Sequence, residues 1–154
     1  MEVHDLLNPE GVIARLKVTS KKQALQELAA RGAKLTGISE RIIFDTLLER
    51  ERLGSTGVGQ GIAIPHGKLA DLRRLHGIFA RTEQPIAFDS IDEVPVDLMF
   101  VLLAPETAGA DHLKALARVS RLLRDKAMCE KLRATDDADA IYALLTETTA
   151  SHAA

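Results

Sequence analysis

Aromatic residues make up only 3% of this 154-residue chain: four Phe, one Tyr and no Trp. That scarcity excludes stacking platforms for bases or sugar rings as the main source of binding, and it leaves an aliphatic core. The single cysteine, Cys129, cannot close an internal disulfide, which fits a reducing cytoplasm. Twenty basic against 22 acidic side chains leave a net charge of −2. A nucleic-acid binder that works by neutralising phosphates needs a basic surplus, and none is present. No apolar run reaches the ~18 residues of a membrane helix, and Met1 to Asp5 lack the basic and apolar regions of a signal peptide. Internal repeats and low-complexity tracts are missing too. With no i,i+4 pair of histidines and no cysteine cluster, a zinc site is not expected. With no Gly-x-Ser-x-Gly elbow, neither is a serine hydrolase of that type.

What remains is the profile of a soluble globular protein, 46% hydrophobic and 27% charged, long enough for one domain over residues 1–154. The core is expected over about 6–145, and the small, polar tail 146–154 is expected to fray. Gly11 to Val18 reads as a first strand. Thr19 or Ser20 caps a helix through about Ala33, with Ala24, Leu25, Leu28 and Ala29 as its apolar stripe and Gly32 near its stop. Ser39 caps a second helix that ends near Leu53-Gly54. Ile62-Ala63-Ile64, Gly77 to Arg81 and Val96 to Pro105 read as strands, with Pro85 to Phe88 as a brief extended piece. The last of the three strands is so continuously apolar that it belongs in the middle of a sheet. Asp111 can cap a helix from His112 to Leu123 with Leu113, Leu116, Val119 and Leu123 inward. Two shorter helices follow, over Lys126–Arg133 and Asp137–Leu145, the latter burying Ile141, Leu144 and Leu145. Helices interleaved with strands call for an α/β fold: a single layered domain, with a mixed β-sheet flanked by helices on both faces.

The stretch Arg50 to Lys68 organises the chain. A charged helix end passes through the glycine run Gly54–Gly61 into the apolar Ile62-Ala63-Ile64, which stops at Pro65-His66-Gly67. Proline cannot donate to a strand ladder, and Gly67 removes bulk and permits positive φ. His66 is therefore expected at the end of a strand with open space on one side. With an ordinary pKa, roughly three-quarters of its imidazole is neutral and nucleophilic at pH 7; the competing role is a structural histidine closing a turn. His112, at the start of a helix, is kept neutral by the dipole and suited to donate to a phosphoryl oxygen, against the alternative of a surface histidine. Arg50 is either a phosphate fork or a simple helix C-terminal cap. His4, His76 and His152 lack comparable settings, and Cys129 reads as buried and inert. The glycine run is neither a Walker A loop, since Gln60 stands where lysine should, nor a dinucleotide fingerprint, since a strand follows.

Gly61-Ile62-Ala63-Ile64-Pro65-His66-Gly67, preceded by Arg50-Glu51-Arg52 and Ser55-Thr56 and followed by Leu102 to Pro105 and His112-Leu113, resembles the signature of a known family. It is similar to the fructose–mannitol type of enzyme IIA in the bacterial phosphoenolpyruvate-dependent phosphotransferase system. Among those, it is most like the free-standing nitrogen-regulatory form. The resemblance covers about Leu6 to Leu145. It implies that His66 accepts a phosphoryl group from a phosphorylated histidine-containing carrier (HPr-like), with His112 and Arg50 as partners of that group. Thr56 and Gly61 fall in the phosphate loop, in structural or minor roles. It implies no metal or other cofactor, and as onward partners either regulatory targets or an enzyme IIB domain. One departure is Gln60: some relatives carry an acidic or amide residue there, so the resemblance does not imply a carboxylate that orients His66 at this position. A sugar-transport role, a non-catalytic anion- or protein-binding module and a homodimer stay open.

Overall fold

Residues 1–147 are described in the computed structural model. In chain order the elements are α1 (Val3–Leu6), β1 (Leu7–Leu16), α2 (Lys21–Thr36), α3 (Glu40–Leu53), β2 (Gly57–Gly59), β3 (Ile62–Ala63), β4 (His66–Leu69), β5 (His76–Ile86), β6 (Val96–Pro105), α4 (Gly109–Arg124), α5 (Lys126–Arg133) and α6 (Ala138–Thr146). The strands make one mixed sheet of order β1-β5-β6-β3-β2, and β4 also pairs with β6. β6 lies inside it, antiparallel to β5 on one side and parallel to β3 and β4 on the other.

The side chains of β6 explain why that segment is apolar throughout. Met99, Val101 and Leu103 enter one core with Leu25 and Leu28 of α2 and Ile43 and Leu47 of α3. Leu98, Phe100 and Leu102 alternate into a second core with Val119 and Leu123 of α4, Leu132 of α5 and Ile141 and Leu145 of α6. Alternation on a strand buried on both faces produces two cores and three layers, the α/β arrangement expected from the interleaved elements.

Several boundaries differ from the sequence reading, each for a packing reason. β1 begins at Leu7, which pairs with Gly77, and ends at Leu16. Pro9 is tolerated because β1 is an edge strand. α2 runs past Gly32 to Thr36, and Gly37, with φ 78°, is the residue that ends it. Gly32 is instead an approach point: a Cβ there would already touch Ile43 and Leu103 at 3.3 Å. The extended piece at Pro85 and the strand at Gly77 are one strand, β5, with a register shift between Arg81 and Ile86. Ser20 caps α2 by accepting from the Gln23 amide, whereas Ser39 stands at the N-cap of α3 with no side-chain bond. α4 starts earlier than Asp111, after Ala108, and its buried side is His112, Ala115, Val119 and Leu123. Leu113, assigned to the inward stripe, is 70% exposed. Of the expected frayed tail, Thr146 closes α6, with its hydroxyl donating to the Tyr142 carbonyl. The remainder from 148 on, His152 included, lies outside the described residues.

Candidate active site

β3 and β4 are two pieces of one line along β6. Ile62 pairs with Leu98, Ala63 with Met99 and His66 with Leu102, so the offset never changes. The line is interrupted at Pro65, which has no N–H to donate; the Ile64 amide is on the β2 side and donates to the Thr56 carbonyl. The Pro65 carbonyl still accepts from the Leu102 amide at 3.0 Å, so register survives the interruption. His66 therefore opens β4, where the sequence reading placed it at the end of a strand. Among the described residues β4 has no strand on its other side.

His66 lies on the α4 side of the sheet, as its neighbour Leu102 does. Gly67 faces the other way, toward α3, where a Cβ would lie 2.6 Å from Thr46 Cγ2. The glycine is required by that approach of α3 to β4; positive φ, the other reason entertained for it, occurs at Gly37, Gly59, Gly61 and Gly109.

Around the open edge of β4 lies a cavity of about 570 Å³, lined by Thr46, Glu49, Arg50 and Leu53 of α3, His66, Gly67 and Lys68 of β4, and Gly109, His112, Leu113 and Leu116 of α4. Three of the residues singled out in the sequence, His66, His112 and Arg50, thus meet. The two imidazoles stand 5.7 Å apart, centroid to centroid, in an edge-on arrangement. His66 Nδ1 is 2.8 Å from the Ile64 carbonyl oxygen. A carbonyl can only accept, so Nδ1 carries the proton and Nε2 holds a free lone pair. Burial lowers the His66 pKa; the Ile64 carbonyl and Glu51 oppose this and Arg50 adds to it, and the net shift is downward. The ring is neutral at neutral pH.

His112 is 6% exposed, and its Nε2 is buried with no hydrogen-bond partner. A buried polar nitrogen without a partner costs free energy, and such atoms in folded proteins call for an explanation. Its pKa is lowered first by burial, then by His66 and Lys68. Neutrality thus comes mainly from burial, where the sequence reading credited the helix dipole. Arg50 is half-buried in the last turn of α3 and donates from Nη1 to the Gly54 carbonyl at 2.9 Å. It caps its helix and lines the cavity at once.

Thr56 and Gly61 do not line the cavity. Thr56 is buried and gives both its amide and its hydroxyl hydrogen to Glu51 Oε1. Gly61, at φ 83°, turns the chain from β2 into β3, and its carbonyl accepts from the amides of Asp97 and Leu98. Gln60, at the same turn, is fixed through its amide to Asp92 and its carbonyl to Arg133, away from His66. Cys129 is buried with its thiol against the Leu123 carbonyl, and burial raises its pKa. His76 is half-buried, its pKa lowered by burial and by Arg74.

The sequence reading missed Lys68 and the apolar rim. Lys68 is two residues beyond His66, and strand alternation alone sends both to the same face. Leu53 and Leu113, 85% and 70% exposed, flank the cavity mouth; their only sequence signal is leucine at the exposed end of a helix. Among the described residues, no group of three or more His, Cys, Asp or Glu could hold a metal ion. None of their helices is long and apolar enough to cross a membrane.

Comparison with known proteins gives a consistent result. The family described as "Phosphoenolpyruvate-dependent sugar phosphotransferase system, EIIA 2" matches residues 5–148. The nitrogen regulatory protein of Bradyrhizobium diazoefficiens is 61% identical over 145 residues, covering 94% of this chain and 95% of that protein. The nitrogen regulatory protein of Klebsiella oxytoca is 44% identical over 148 residues, covering 96% and 91%. The crystal structure of nitrogen regulatory protein IIA-Ntr from Neisseria meningitidis superposes with a TM-score of 0.89 at 36% identity, covering 94% of this chain and 99% of that one. A match over nearly the whole chain, close relatives of almost equal length and a shared fold agree, and the chain belongs to the EIIA type 2 family of the phosphoenolpyruvate-dependent phosphotransferase system.

Proposed function

We propose that the chain is a phosphohistidine carrier: His66 Nε2 takes a phosphoryl group from a phosphohistidine on a histidine-containing carrier protein, and the phosphorylation state regulates target proteins. The observation that carries this reading is the His66 ring itself. Its Nδ1–H is held by the Ile64 carbonyl, which leaves Nε2 free, and the His112 ring, whose Nε2 has no partner, stands 5.7 Å away centroid to centroid. In the transfer the Nε2 lone pair forms the new P–N bond while the donor's P–N bond breaks and its electron pair returns to the donor imidazole. Charge gathers on the three equatorial oxygens of a loose transition state. His112 Nε2–H and the cations of Arg50 and Lys68 are the groups on hand to receive it. Positive charge developing on the His66 ring is met at Nδ1–H by the Ile64 carbonyl. The product keeps a reactive P–N bond, so the group can be passed on or lost.

The regulatory role is favoured by the nitrogen regulatory relatives that match over nearly their whole length. Incubation with phosphoenolpyruvate, enzyme I and a histidine-containing carrier should yield an acid-labile, base-stable phosphate that His66→Ala abolishes. Absence of label with every carrier would leave an anion- or protein-binding module. Passage of the label to an enzyme IIB domain of a fructose or mannitol system would replace the regulatory role with sugar transport.

A further inference from the structure

Glu51 is a carboxylate in an expensive place. It is 6% exposed, and it stands in the last turn of α3, where the helix dipole disfavours negative charge. Its oxygens are fully engaged. Lys21 Nζ approaches Oε2 at 2.9 Å, and Thr56 gives Oε1 its amide at 2.8 Å and its hydroxyl at shorter range. Lys21 is itself held by Asp89 Oδ2 at 3.0 Å and lies over the Phe88 ring. Burial acts to lower the Lys21 pKa, but the bonds to Glu51 and Asp89 outweigh it and leave the ammonium charged.

From Thr56 the bonds continue to the reacting ring. The Thr56 carbonyl accepts from the Ile64 amide at 3.0 Å, and the Ile64 carbonyl accepts from His66 Nδ1 at 2.8 Å. Ile64 is constrained from both sides. Its N–H is tied to Thr56, and the following Pro65 confines its ψ to extended values. With both ends of the residue set, its carbonyl has one direction, and that direction selects the Nδ1–H tautomer of His66.

We propose that Glu51 is a positioning residue for phosphoryl transfer: by anchoring Thr56 it fixes the Ile64 carbonyl that keeps Nε2 of His66 unprotonated and aimed into the cavity. This rests on the reading of His66 as phosphoryl acceptor. Glu51 touches no reacting atom. Its effect is on the fraction of histidine in the reactive tautomer and on the aim of the ring, so it belongs to the chemical step and leaves docking of the donor protein unchanged.

The test uses the full chain labelled with ¹⁵N-histidine. The imidazole nitrogen shifts of His66 report its tautomer without phosphorylation, and single-turnover phosphorylation at increasing carrier concentration gives a limiting rate, written kcat, and a half-saturating concentration, written KM. The parent is expected in the Nδ1–H form. Glu51→Ala should give mixed tautomers and a kcat lower by about 10- to 100-fold, the scale of a misaimed reacting group, with KM for the carrier unchanged. Glu51→Gln can still accept from Thr56 through its oxygen but turns its NH2 toward Lys21 Nζ, so it should restore the parental shifts and the rate in part. Thr56→Val keeps the backbone link, loses the hydroxyl link and should fall between; it also decides the matter if Glu51→Ala does not fold. A folded Glu51→Ala or Thr56→Val with parental shifts and parental kcat would overturn the proposal. If no carrier labels His66, the phosphocarrier reading fails, while the nitrogen shifts still judge the positioning.

Discussion

Replacing Gly67 by alanine tests whether the wall of the site is as tightly drawn as the distances indicate. The new Cβ would lie 2.6 Å from Thr46 Cγ2, with the next nearest atoms, Thr46 Cβ and C, at 3.8 and 3.9 Å. Only one methyl group is in the way, and it is roughly 1 Å too close for carbon–carbon contact. Rotating Thr46 to remove it would break the bond from its hydroxyl to the Ile42 carbonyl, 2.8 Å long. That bond is on an exposed face, where water can replace it, so the rotation costs about 1 kcal/mol or less. If the rotamer is held, α3 must move outward from β4, and overpacking of this kind costs about 1–3 kcal/mol. For a chain of this length each kcal/mol lowers Tm by about 2–4 °C, so the expected fall is up to about 4 °C if Thr46 rotates and about 2–12 °C if α3 moves.

A second substitution separates steric from conformational causes. Thr46→Ser removes Cγ2 and keeps the hydroxyl, so Gly67→Ala with Thr46→Ser should recover most of the lost stability, giving a coupling of about 1 kcal/mol or more in a double-mutant cycle. Thermal and urea unfolding of the four proteins measures it. A Gly67→Ala protein as stable as the parent and uncoupled from Thr46→Ser would refute the close approach. A loss that Thr46→Ser leaves untouched would show that glycine is needed for its backbone, against the φ values observed.

Three further outcomes follow from the site. His112→Ala should slow phosphorylation of His66 by about 10²- to 10³-fold, the usual loss for one donor to a developing oxyanion. Its effect on Tm should be small, since it removes an unpartnered buried nitrogen; a large loss of helicity in circular dichroism would make His112 structural. Arg50→Ala should lower the phosphorylation rate by about tenfold or more and stability by no more than about 1 kcal/mol, the value of a C-terminal cation on a helix. A fall in Tm with an unchanged rate would leave capping as its whole role. Stability should also decline as pH drops. His66, His76 and His112 all have folded pKa values below the ordinary 6.5, chiefly through burial. The unfolded chain therefore binds more protons, so the stabilisation is complete above pH 6.5 and is lost as pH falls through the folded values. Urea midpoints at pH 7.5 and 5.5 measure this, and a higher midpoint at pH 5.5 would contradict it.

The layered architecture was legible because β6 announces itself: ten residues without a break in apolar character except Asp97 leave no face for water. Pro65-His66-Gly67 likewise pointed to the His66 ring from residue types alone, and that ring lines the cavity with His112 and Arg50. What could not be read was which partner each residue meets across the fold. Gly32 looks like a helix stop, and only the arrival of Ile43 and Leu103 against it explains its place inside α2. The face of α4 was assigned from an apolar stripe of which Val119 and Leu123 are buried, yet the helix also buries His112 and Ala115 and leaves Leu113 out. Glu51 fell inside the family signature, but nothing in the sequence gave it a role. A carboxylate beside two arginines at a helix end reads as surface, and its burial depends on Lys21, thirty positions away.

The charges around His66 give a physical reason for phosphorylation to act as a switch. Arg50 and Lys68 are cations and Glu49 is an anion among the residues lining the cavity, so with both imidazoles neutral the lining carries a net charge of +1. Such a surface favours a donor that brings negative charge. On the proposed reading, transfer places a phosphoryl dianion at Nε2; while Nδ1–H is kept the net gain is about −1 and the lining is neutral, and once that proton leaves the gain is about −2 and the lining is net negative. The apolar rim of Leu53 and Leu113 is unchanged by the transfer, so any partner that docks there meets the same contact area with the opposite sign at its centre. Like charges brought together across an interface cost several kcal/mol, enough to exchange one set of partners for another without movement of the backbone. Neutral imidazoles are a condition of this inversion. If His66 and His112 were both protonated at rest, the lining would start near +3, and a single phosphoryl group would reduce its charge without reversing it.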